Sequence, residues 1–467
     1  MPIFRYTVKK IFVSPSTWVI LFLSIGLLSV GWSLPFYLVN DQAQVPIVWT
    51  KNLVLSIMLS TWKLFTFSTF IGFTLIIFIG VKATQIFRDE VDDGTLLILV
   101  SKPISRNKIW REKWLSFQFT LIFYVFLTIL ISGLTLLIPK VGNLTIYKTL
   151  LPYMGILFGI ALLFDLIISS IVLLFSLILN SKATIAISVG FAALISIFSQ
   201  ALEFLIPISD QYFYTSHAVA VLHKLEQELD ATEIAWVKTE LAASDYRPSV
   251  SDILTTVYQN EIPNVNYPSE YDWEQEQTVL NDIINNPSNY SYSTDQVALI
   301  THIVKVSNVF RQWKQQSYEE LMTGEQVGTD DQAAIIAGIN VVNYDFYDVY
   351  SGFNYHFSQT EVTKINRKIF QKRMLRYFNI FYHFYYLWNG TWNDSNSLYV
   401  TNETYIGYND PYLISFTELS DGQNYQVNEN SGNKKILSFP IVLISYLLVG
   451  LVLLAVSWYV FNRRDFT

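Results

Sequence analysis

The sequence contains no cysteine. This absence excludes disulfide bonds, iron–sulfur clusters and cysteine-based zinc sites. Charged residues are also scarce, at 15% of the 467 positions, whereas 51% of the residues are hydrophobic and 16% are aromatic. This composition is too apolar for an ordinary soluble domain, and it excludes a disordered chain. The sequence therefore favours a membrane protein.

Sequence motifs of several enzyme classes are also missing. The chain has no G-x-x-x-x-G-K-[ST] phosphate-binding loop, no G-x-S-x-G nucleophile elbow and no H-E-x-x-H zinc motif. All five histidines lie between residues 207 and 435, and His217 and His223 are six residues apart, which does not place them on one helix face. We therefore predict that this chain has no catalytic site, no metal site and no cofactor of its own.

Long apolar stretches are present instead. A membrane-spanning helix needs ~20 mostly apolar residues, and in lipid only helices and closed barrels satisfy their backbone polar groups. The first stretch follows three basic residues, as in a signal peptide, but its apolar core is long and lacks a convincing cleavage site, so we expect a retained anchor. The six predicted spans are Trp18–Val39, Leu64–Val81, Trp114–Ile138, Leu151–Leu179, Ala183–Ile206 and Leu437–Phe461.

The charges divide the chain into two parts. Residues 207–435 hold 14 of the 31 basic residues and 29 of the 38 acidic residues, so this part is strongly acidic and the remainder is basic. Short cytoplasmic loops are enriched in Lys and Arg. The distribution predicts that both termini are cytoplasmic and that residues 207–435 are extracellular. The expected domains are 1–206 with five spans and a cytoplasmic loop at 82–113, the extracellular domain 207–435, and 436–467 with the sixth span and a tail.

The acidic region is too long for a simple loop. Helical periodicity occurs in Ala218–Leu241, Val297–Leu321 and Glu361–Leu387, and short strands and turns are expected from about Tyr399. The predicted fold class is therefore an α-helical polytopic membrane protein, with six transmembrane helices and a large, mostly helical (α+β) extracellular domain between helices five and six.

Two segments of the acidic region have distinctive compositions. "KINRKIFQKRMLRYF" places six basic residues on a helix, which either offsets nearby acids within the domain or contacts a partner or lipid headgroups. "FNIFYHFYYLWNGTW" is densely aromatic. It is expected to pack in the core or against the membrane part, with a substrate-binding groove as the alternative.

Four residues inside the predicted spans are candidate functional positions. A carboxylate at bilayer depth costs ~2.5–3.5 kcal/mol on insertion scales, so Asp165 and Glu203 are candidates for a transport pathway or for bonds between helices. Protonated packing is the alternative for Asp165, and proximity to the exterior interface is the alternative for Glu203. Gly155 and Gly159 have the small-x-x-x-small spacing that suits close helix packing.

The loop between the second and third spans reads "FRDEVDDGTLLILVSKPISRNKIWREK". We expect a short amphipathic helix with Ile86, Phe87 and Val91 toward lipid and its charges toward water. Gly94 should end this helix, and the helix that leads into span three should begin after Ser105. The order of residues predicts a folded helix–turn–helix elbow rather than a simple charged loop.

This loop resembles the cytoplasmic loop of ABC-2 type exporter permeases, E-x-x-x-G-T-x-x-x-L-x-x-x-P-[IV]-S-R-x-x-[IL]-x-x-x-K. The C-terminal "WYVFNRRDFT" is similar to the ending of that family, in which an Arg–Asp pair follows the last span. Departing from the family pattern, the large region between spans five and six has no counterpart that we can map. The residues that match the loop motif are Glu90, Gly94, Thr95, Leu99, Pro103, Ile104, Ser105, Arg106, Ile109 and Lys113.

The resemblance implies one permease half of an ATP-driven transporter. A second permease, identical or different, would complete the pathway, and a separate ATPase subunit would bind ATP and magnesium and dock on the loop. The acids Asp89, Glu90, Asp92 and Asp93 would pair with basic residues of the ATPase. The residues implied in docking and coupling are Arg88, Asp89, Glu90, Asp92, Gly94, Thr95, Leu99, Pro103, Ile104, Ser105, Arg106 and Lys113.

A second hypothesis belongs to a different class of protein. The acidic region, which is rich in Tyr and Trp, also fits a membrane-anchored binding or adhesion protein that acts through its extracellular domain. Lipid and a plasma-membrane location are common to both hypotheses, and neither involves nucleic acid.

Overall fold

The computed structural model describes residues 2–42, 47, 49, 51–59, 61–205, 225, 229–242, 253, 256–257, 259–262, 273–321, 356–389, 416–418, 424–427 and 439–463. Helices dominate these ranges. In the first 205 residues they are α1 (Pro2–Val13), α2 (Pro15–Gln42), α3 (Lys51–Leu59), α4 (Thr61–Phe67), α5 (Ile76–Ala83), α6 (Asp89–Asp92), α7 (Thr95–Ser101), α8 (Arg106–Leu134), α9 (Leu144–Ile178) and α10 (Ser181–Leu205).

The later residues form a helical region with one small sheet and a last long helix. In chain order the elements are α11 (Ala231–Ala242), α12 (Trp273–Asn285), α13 (Thr294–Leu321), β1 (Phe357–Ser358), α14 (Gln359–Phe378), α15 (Ile380–Asn389), β2 (Phe416–Glu418), β3 (Asn424–Val427) and α16 (Phe439–Arg463). Strand β3 lies between β1 and β2 and pairs antiparallel with both.

Five helical segments in the described residues are long and apolar enough to cross a membrane. They are Pro15–Asp41, Trp62–Asp92, Arg106–Leu137, Leu144–Ile178 and Pro440–Arg463, and Ser181–Leu194 of α10 is a shorter apolar helix. Local sequence signals define where some of these helices begin. Pro15 occupies the first position of α2, where its missing N–H is not needed, and the side chain of Asn143 accepts a 2.9 Å hydrogen bond from the backbone N–H of Ile146 at the start of α9.

The second membrane helix is continuous from α4 to α6, but two of its segments are π-helical and not α-helical. Ser68–Leu75 and Thr84–Arg88 are π-helical, with α5 between them. A π-helical turn shifts the direction of the side chains that follow it, and such turns frequently occur at functional sites. The second π-helical segment ends directly before the acidic α6.

The membrane helices pack around α9, which contacts α16, α8, α5 and α3. Two glycines let helix backbones approach closely. A Cβ atom at Gly31 of α2 would lie 2.7 Å from Thr66 Oγ1, and one at Gly450 of α16 would lie 2.9 Å from Leu166 Cδ2 of α9. Close approach of this kind supplies the packing contacts that hold helices together in lipid.

The region after α10 has its own apolar core, which includes Leu280 of α12, Ile300 of α13, and Val362 and Ile365 of α14. Asp230 interrupts the predicted Ala218–Leu241 helix, because its carboxylate accepts hydrogen bonds from the backbone N–H groups of Thr232 and Glu233 and so begins α11. Residues 218–224 and the "YVTNETYIGYNDPY" segment lie outside the described residues. The described strands are at 357–358, 416–418 and 424–427.

The helical stretch predicted at Glu361–Leu387 is divided at Asn379 into α14 and α15. Helix α14 begins with a capping box, in which Ser358 and Glu361 satisfy each other's backbone N–H groups. Helix α15 carries the aromatic segment. It packs against α9, α16 and α10, so its aromatic side chains join the core of the membrane part.

Candidate functional site

The loop between the second and third membrane helices forms a compact elbow. Helix α6 ends at Asp92, α7 runs from Thr95 to Ser101, and α8 begins at Arg106. Gly94 connects α6 and α7 with φ 74°, a left-handed conformation that glycine adopts without steric cost. Ser105 precedes α8 in an extended conformation, as expected, but its side chain makes no capping hydrogen bond.

Asp93 and Thr95 hold the turn of the elbow in place. The Asp93 carboxylate accepts a 2.9 Å hydrogen bond from the backbone N–H of Thr95. A slight loss of hydration raises the pKa of Asp93, but the hydrogen bonds from Thr95 and the attraction of Lys10 and Lys113 lower it by more, so the pKa lies below its usual value. This carboxylate therefore remains charged at the protein surface at neutral pH.

Glu90 was predicted to face water, and this prediction is wrong because its side chain is fully buried. Its carboxylate pairs with Lys113 of α8, which is also buried, and with Lys10 of α1 at 3.3 Å. Lys113 Nζ also donates a 2.9 Å hydrogen bond to the carbonyl oxygen of Ile86. Glu90 thus forms a buried ion pair that joins the second and third membrane helices, and its contact with an ATPase stays a prediction.

The apolar face of the helix before the elbow also differs from the prediction. Ile86 and Phe87 are fully buried, and Val91 is half-buried against the same core, so these side chains pack within the protein and not toward lipid. Phe87 lies 6.2 Å from the ring of Phe461 near the end of α16. The helix is amphipathic, but its apolar face is covered by neighbouring helices.

Three carboxylates remain exposed beside the buried pair: Asp89, Asp92 and Asp93. Arg88 forms an ion pair with Asp92 at 2.6 Å. The hydroxyl of Ser181, at the start of α10, donates hydrogen bonds to Asp89 at 2.7 Å and to Asp92 at 3.2 Å. The exposed acids therefore form an ordered cluster between the second membrane helix and α10.

Helix α7 presents apolar side chains to the surface next to this cluster. Leu97 is 49% exposed and Ile98 is 60% exposed, whereas Leu96 is fully buried and anchors the helix. Leu99 and Ile104 are partly buried against the membrane core, and Pro103 is exposed in the bend that follows α7.

Two hydrogen bonds near the elbow connect the third membrane helix to the last one. Arg106 Nη1 donates a 3.1 Å hydrogen bond to the carbonyl oxygen of Asn462, and Trp458 Nε1 donates one of 3.1 Å to Asn107 Oδ1. Arg106 thus connects the start of α8 to the end of α16.

Helix α1 packs across the same region. The backbone N–H of Phe4 donates a 3.2 Å hydrogen bond to Glu112 Oε2 of α8. Lys82 of α5 donates hydrogen bonds to Ser16 at 2.7 Å and to Gln85 at 3.0 Å. Sequence analysis did not predict the Phe4–Glu112 and Lys82–Ser16 contacts, because residues 108 and 66 positions apart form them and hydrophobic periodicity reports only on local structure. For the Glu90–Lys113 ion pair, the sequence did offer a signal, because both residues occur in the same loop motif.

The candidates inside the membrane lie away from the elbow. Asp165 of α9 is 1% exposed, and its Oδ1 atom accepts no hydrogen bond from the described residues. Glu203 belongs to α10, but its side chain lies outside the described residues. No described residue packs closely against Gly155 or Gly159, so their close helix packing stays a prediction. Both lie on an exposed stripe of α9, where an added Cβ would have no described neighbour within 4 Å.

Apolar helices of membrane-spanning length and an ordered elbow define a helical multi-pass membrane protein. A family model described as "ABC-2 family transporter protein" matches residues 1–285, which is more than half of the chain. The chain therefore belongs to the ABC-2 transporter family, and it is a membrane permease of an ABC transporter. No curated protein and no solved structure matches it.

Proposed function

We propose that this permease works with a separate ATP-binding cassette ATPase that docks on the elbow formed by α6, α7 and the start of α8. The supporting observation is that Leu97 and Ile98 are exposed beside an ordered cluster of carboxylates. Exposed apolar side chains rimmed by charges are typical of a surface that binds another protein. In this proposal ATP and magnesium bind to the partner, and this chain supplies the transport pathway.

The elbow would transmit motion because it is joined to several membrane helices. The Glu90–Lys113 pair connects the second membrane helix to α8, and Arg106 connects α8 to α16. A push on α7 would therefore move these helices together as a rigid body. The remaining residues of the loop motif shape the turns on which this movement depends.

The proposed transporter has the following plan. Helix α10 is the fifth of six spans, both termini are cytoplasmic, and residues 207–435 are extracellular in the plasma membrane. A second permease completes the pathway, and cargo moves outward. Membership of the ABC-2 family supports this plan, as does the excess of basic residues in the short loops on the proposed cytoplasmic side.

A matched pair of substitutions tests the docking surface. Ile98→Ser removes an apolar side chain from α7, and Ile178→Ser makes the same change at the end of α9, where the side chain is 56% exposed. Burial of an isoleucine in an interface contributes about 1.5–3 kcal/mol. We therefore expect Ile98→Ser to weaken capture of the ATPase about tenfold or more, whereas Ile178→Ser leaves it unchanged. Equal capture by both variants would place the ATPase elsewhere.

The alternative of an adhesion protein receives less support from the structure. An adhesion domain needs only a tether to the membrane, but α15 packs its side chains among the membrane helices. This contact favours a domain that takes part in transport together with the membrane helices. Stimulation of the ATPase by a cargo in reconstituted vesicles would support the transporter, and an ATPase unaffected by the permease would favour adhesion.

A further inference from the structure

Helix α14 has two faces of different character. One face carries Val362, Ile365 and Ile369, which are buried in the core of the region after α10. The opposite face carries three large apolar side chains at intervals of four residues. Phe370 is 59% exposed, Met374 is 37% exposed and Phe378 is 85% exposed. Residues at this spacing line one side of a helix, so they form a continuous apolar stripe.

Basic side chains extend this stripe toward the start of the helix. Lys364 and Arg367 are exposed, and Arg367 is three and seven residues before Phe370 and Met374, which places it on the same side. The exposed face is therefore polarised along its length. Among its described side chains, the basic residues lie in the half that joins β1, and the three large apolar residues lie in the half that ends at Phe378.

The apolar end of α14 leads directly into the membrane part. Only Asn379 separates it from α15, and Asn379 accepts a 3.0 Å hydrogen bond from the N–H of Tyr382. In α15, Phe381 lies 5.2 Å from Phe67 of α4, and Phe384 lies 4.9 Å from Tyr446 of α16. Tyr446 is about 10 Å along α16 from its first residue, at 1.5 Å per residue. The end of α14 therefore lies close to the level at which the membrane helices enter the bilayer.

We propose that the exposed face of α14 rests on the bilayer leaflet next to residues 207–435, with Phe370, Met374 and Phe378 among the acyl chains and Lys364 and Arg367 at anionic headgroups. The chemistry of the face follows the chemistry of the leaflet. Its apolar half lies at the membrane end, and its basic half lies farther out, where lipid phosphates are found. Amphipathic helices that lie in the membrane interface combine the same two groups of residues.

The charge of the surrounding region strengthens this assignment. Residues 207–435 are strongly acidic, so an anionic membrane surface repels most of this region. Exposed basic residues on α14 give it a surface where contact with anionic lipid is favourable. The helix would fix the distance and tilt of the whole region relative to the membrane.

Fluorescence quenching by lipids tests the contact directly. Because the chain has no native cysteine, single cysteines can carry a fluorescent label at chosen positions in the full protein. Phe378→Cys lies on the proposed contact face, and Ser288→Cys, in the exposed Pro287–Asn289 turn, is the control. In vesicles that contain spin-labelled lipids, we expect loss of most fluorescence at position 378 and none at position 288. An equal fractional loss of fluorescence at the two positions would overturn the proposal.

A second variant protects the test against misfolding. Gln371→Cys lies on the same exposed face and removes no apolar side chain, so its label should be quenched as well. Adding phosphatidylglycerol to phosphatidylcholine vesicles should increase quenching at position 371. Lys364→Gln and Arg367→Gln should each lower the ratio of docked to free helix about fivefold, which corresponds to ~1 kcal/mol per basic residue.

Two outcomes would contradict parts of this assignment. Equal quenching at position 371 in both lipid mixtures would overturn the contact with anionic headgroups. A disulfide bond between two Phe378→Cys chains, without quenching by lipid, would assign the face to an interface between copies of this protein.

Discussion

At the scale of single residues, Glu90 lies between two lysines that come from different helices. Its partners are Lys113 of α8, which is equally buried, and Lys10 of α1, whose side chain is 25% exposed. Removing a charge from water is costly, and the pair is tolerated because each buried charge has its partner in contact. Glu90 therefore holds the membrane end of the elbow together through two lysines of its own chain.

A double-substitution experiment tests this role. Glu90→Gln leaves Lys113 buried without its counter-ion, so we expect a loss of about 3–5 kcal/mol in the free energy of unfolding. The double variant Glu90→Gln/Lys113→Met removes both charges and should recover most of that loss. Thermal unfolding of the purified permease in detergent measures both effects. A double variant no more stable than the single variant would show that the pair is not the reason for the loss.

Lys10 is the control for burial in the same network. Its side chain is partly exposed, and Glu90 keeps its pair with Lys113 when Lys10 is removed. We therefore expect Lys10→Met to cost at most about 1 kcal/mol in the free energy of unfolding.

The loop motif gave the position of the candidate site but not the arrangement of its charges. Gly94 and Pro103 could be read from the sequence, because a left-handed turn and a helix break depend on the residue itself. Whether Glu90 faces water depends on Lys10 and Lys113, which are 80 and 23 residues away. Such distant contacts leave no local pattern, so the sequence placed Glu90 at the surface.

At the scale of elements, α15 is a helix of the later region that packs as part of the membrane bundle. Trp388 is fully buried, stacks on Phe67 at 5.6 Å and donates a 3.2 Å hydrogen bond to the carbonyl oxygen of Tyr153. It also meets Trp32 of α2 edge to face at 6.2 Å. One side chain thus joins three membrane helices to α15.

Truncation of this side chain should destabilise the whole membrane part. Trp388→Ala leaves a large cavity, and such changes in a packed core cost about 3–5 kcal/mol. Phe191→Ala on α10 removes an aromatic ring that is 39% exposed and should change stability by about 0.5 kcal/mol or less. The apparent melting temperature of the two variants in detergent provides the comparison. A similar small shift in both would mean that α15 is loosely attached.

The sequence predicted one helical stretch, Glu361–Leu387, where the structure has α14 and α15, because its apolar residues recur at helical spacing. Periodicity does not say what covers an apolar face, and the aromatic segment of α15 fits a soluble core and a membrane core equally well. Packing of this segment against the membrane part was one of the expectations. The structure shows which residues it packs against, namely Phe67, Phe164 and Tyr446.

At the scale of the whole molecule, the predicted topology places Lys102 of the elbow inside the cell and Ser288 outside. Both residues are exposed, and the chain has no native cysteine. In intact cells, a membrane-impermeant thiol reagent should label Ser288→Cys but not Lys102→Cys, and after permeabilisation it should label both. Labelling of Lys102→Cys in intact cells would reverse the topology.

The order of synthesis gives the position of α15 a further consequence. The ribosome delivers α2, α4 and α9 long before α15 and α16, because more than 200 residues separate Ile178 from Ile380. Until the last quarter of the chain emerges, the surfaces that Trp388, Phe381 and Phe384 later cover must be occupied by lipid or by other helices. The membrane part therefore completes its assembly late. A stop codon directly after residue 285 would leave the family-matched residues 1–285 without α15 and α16.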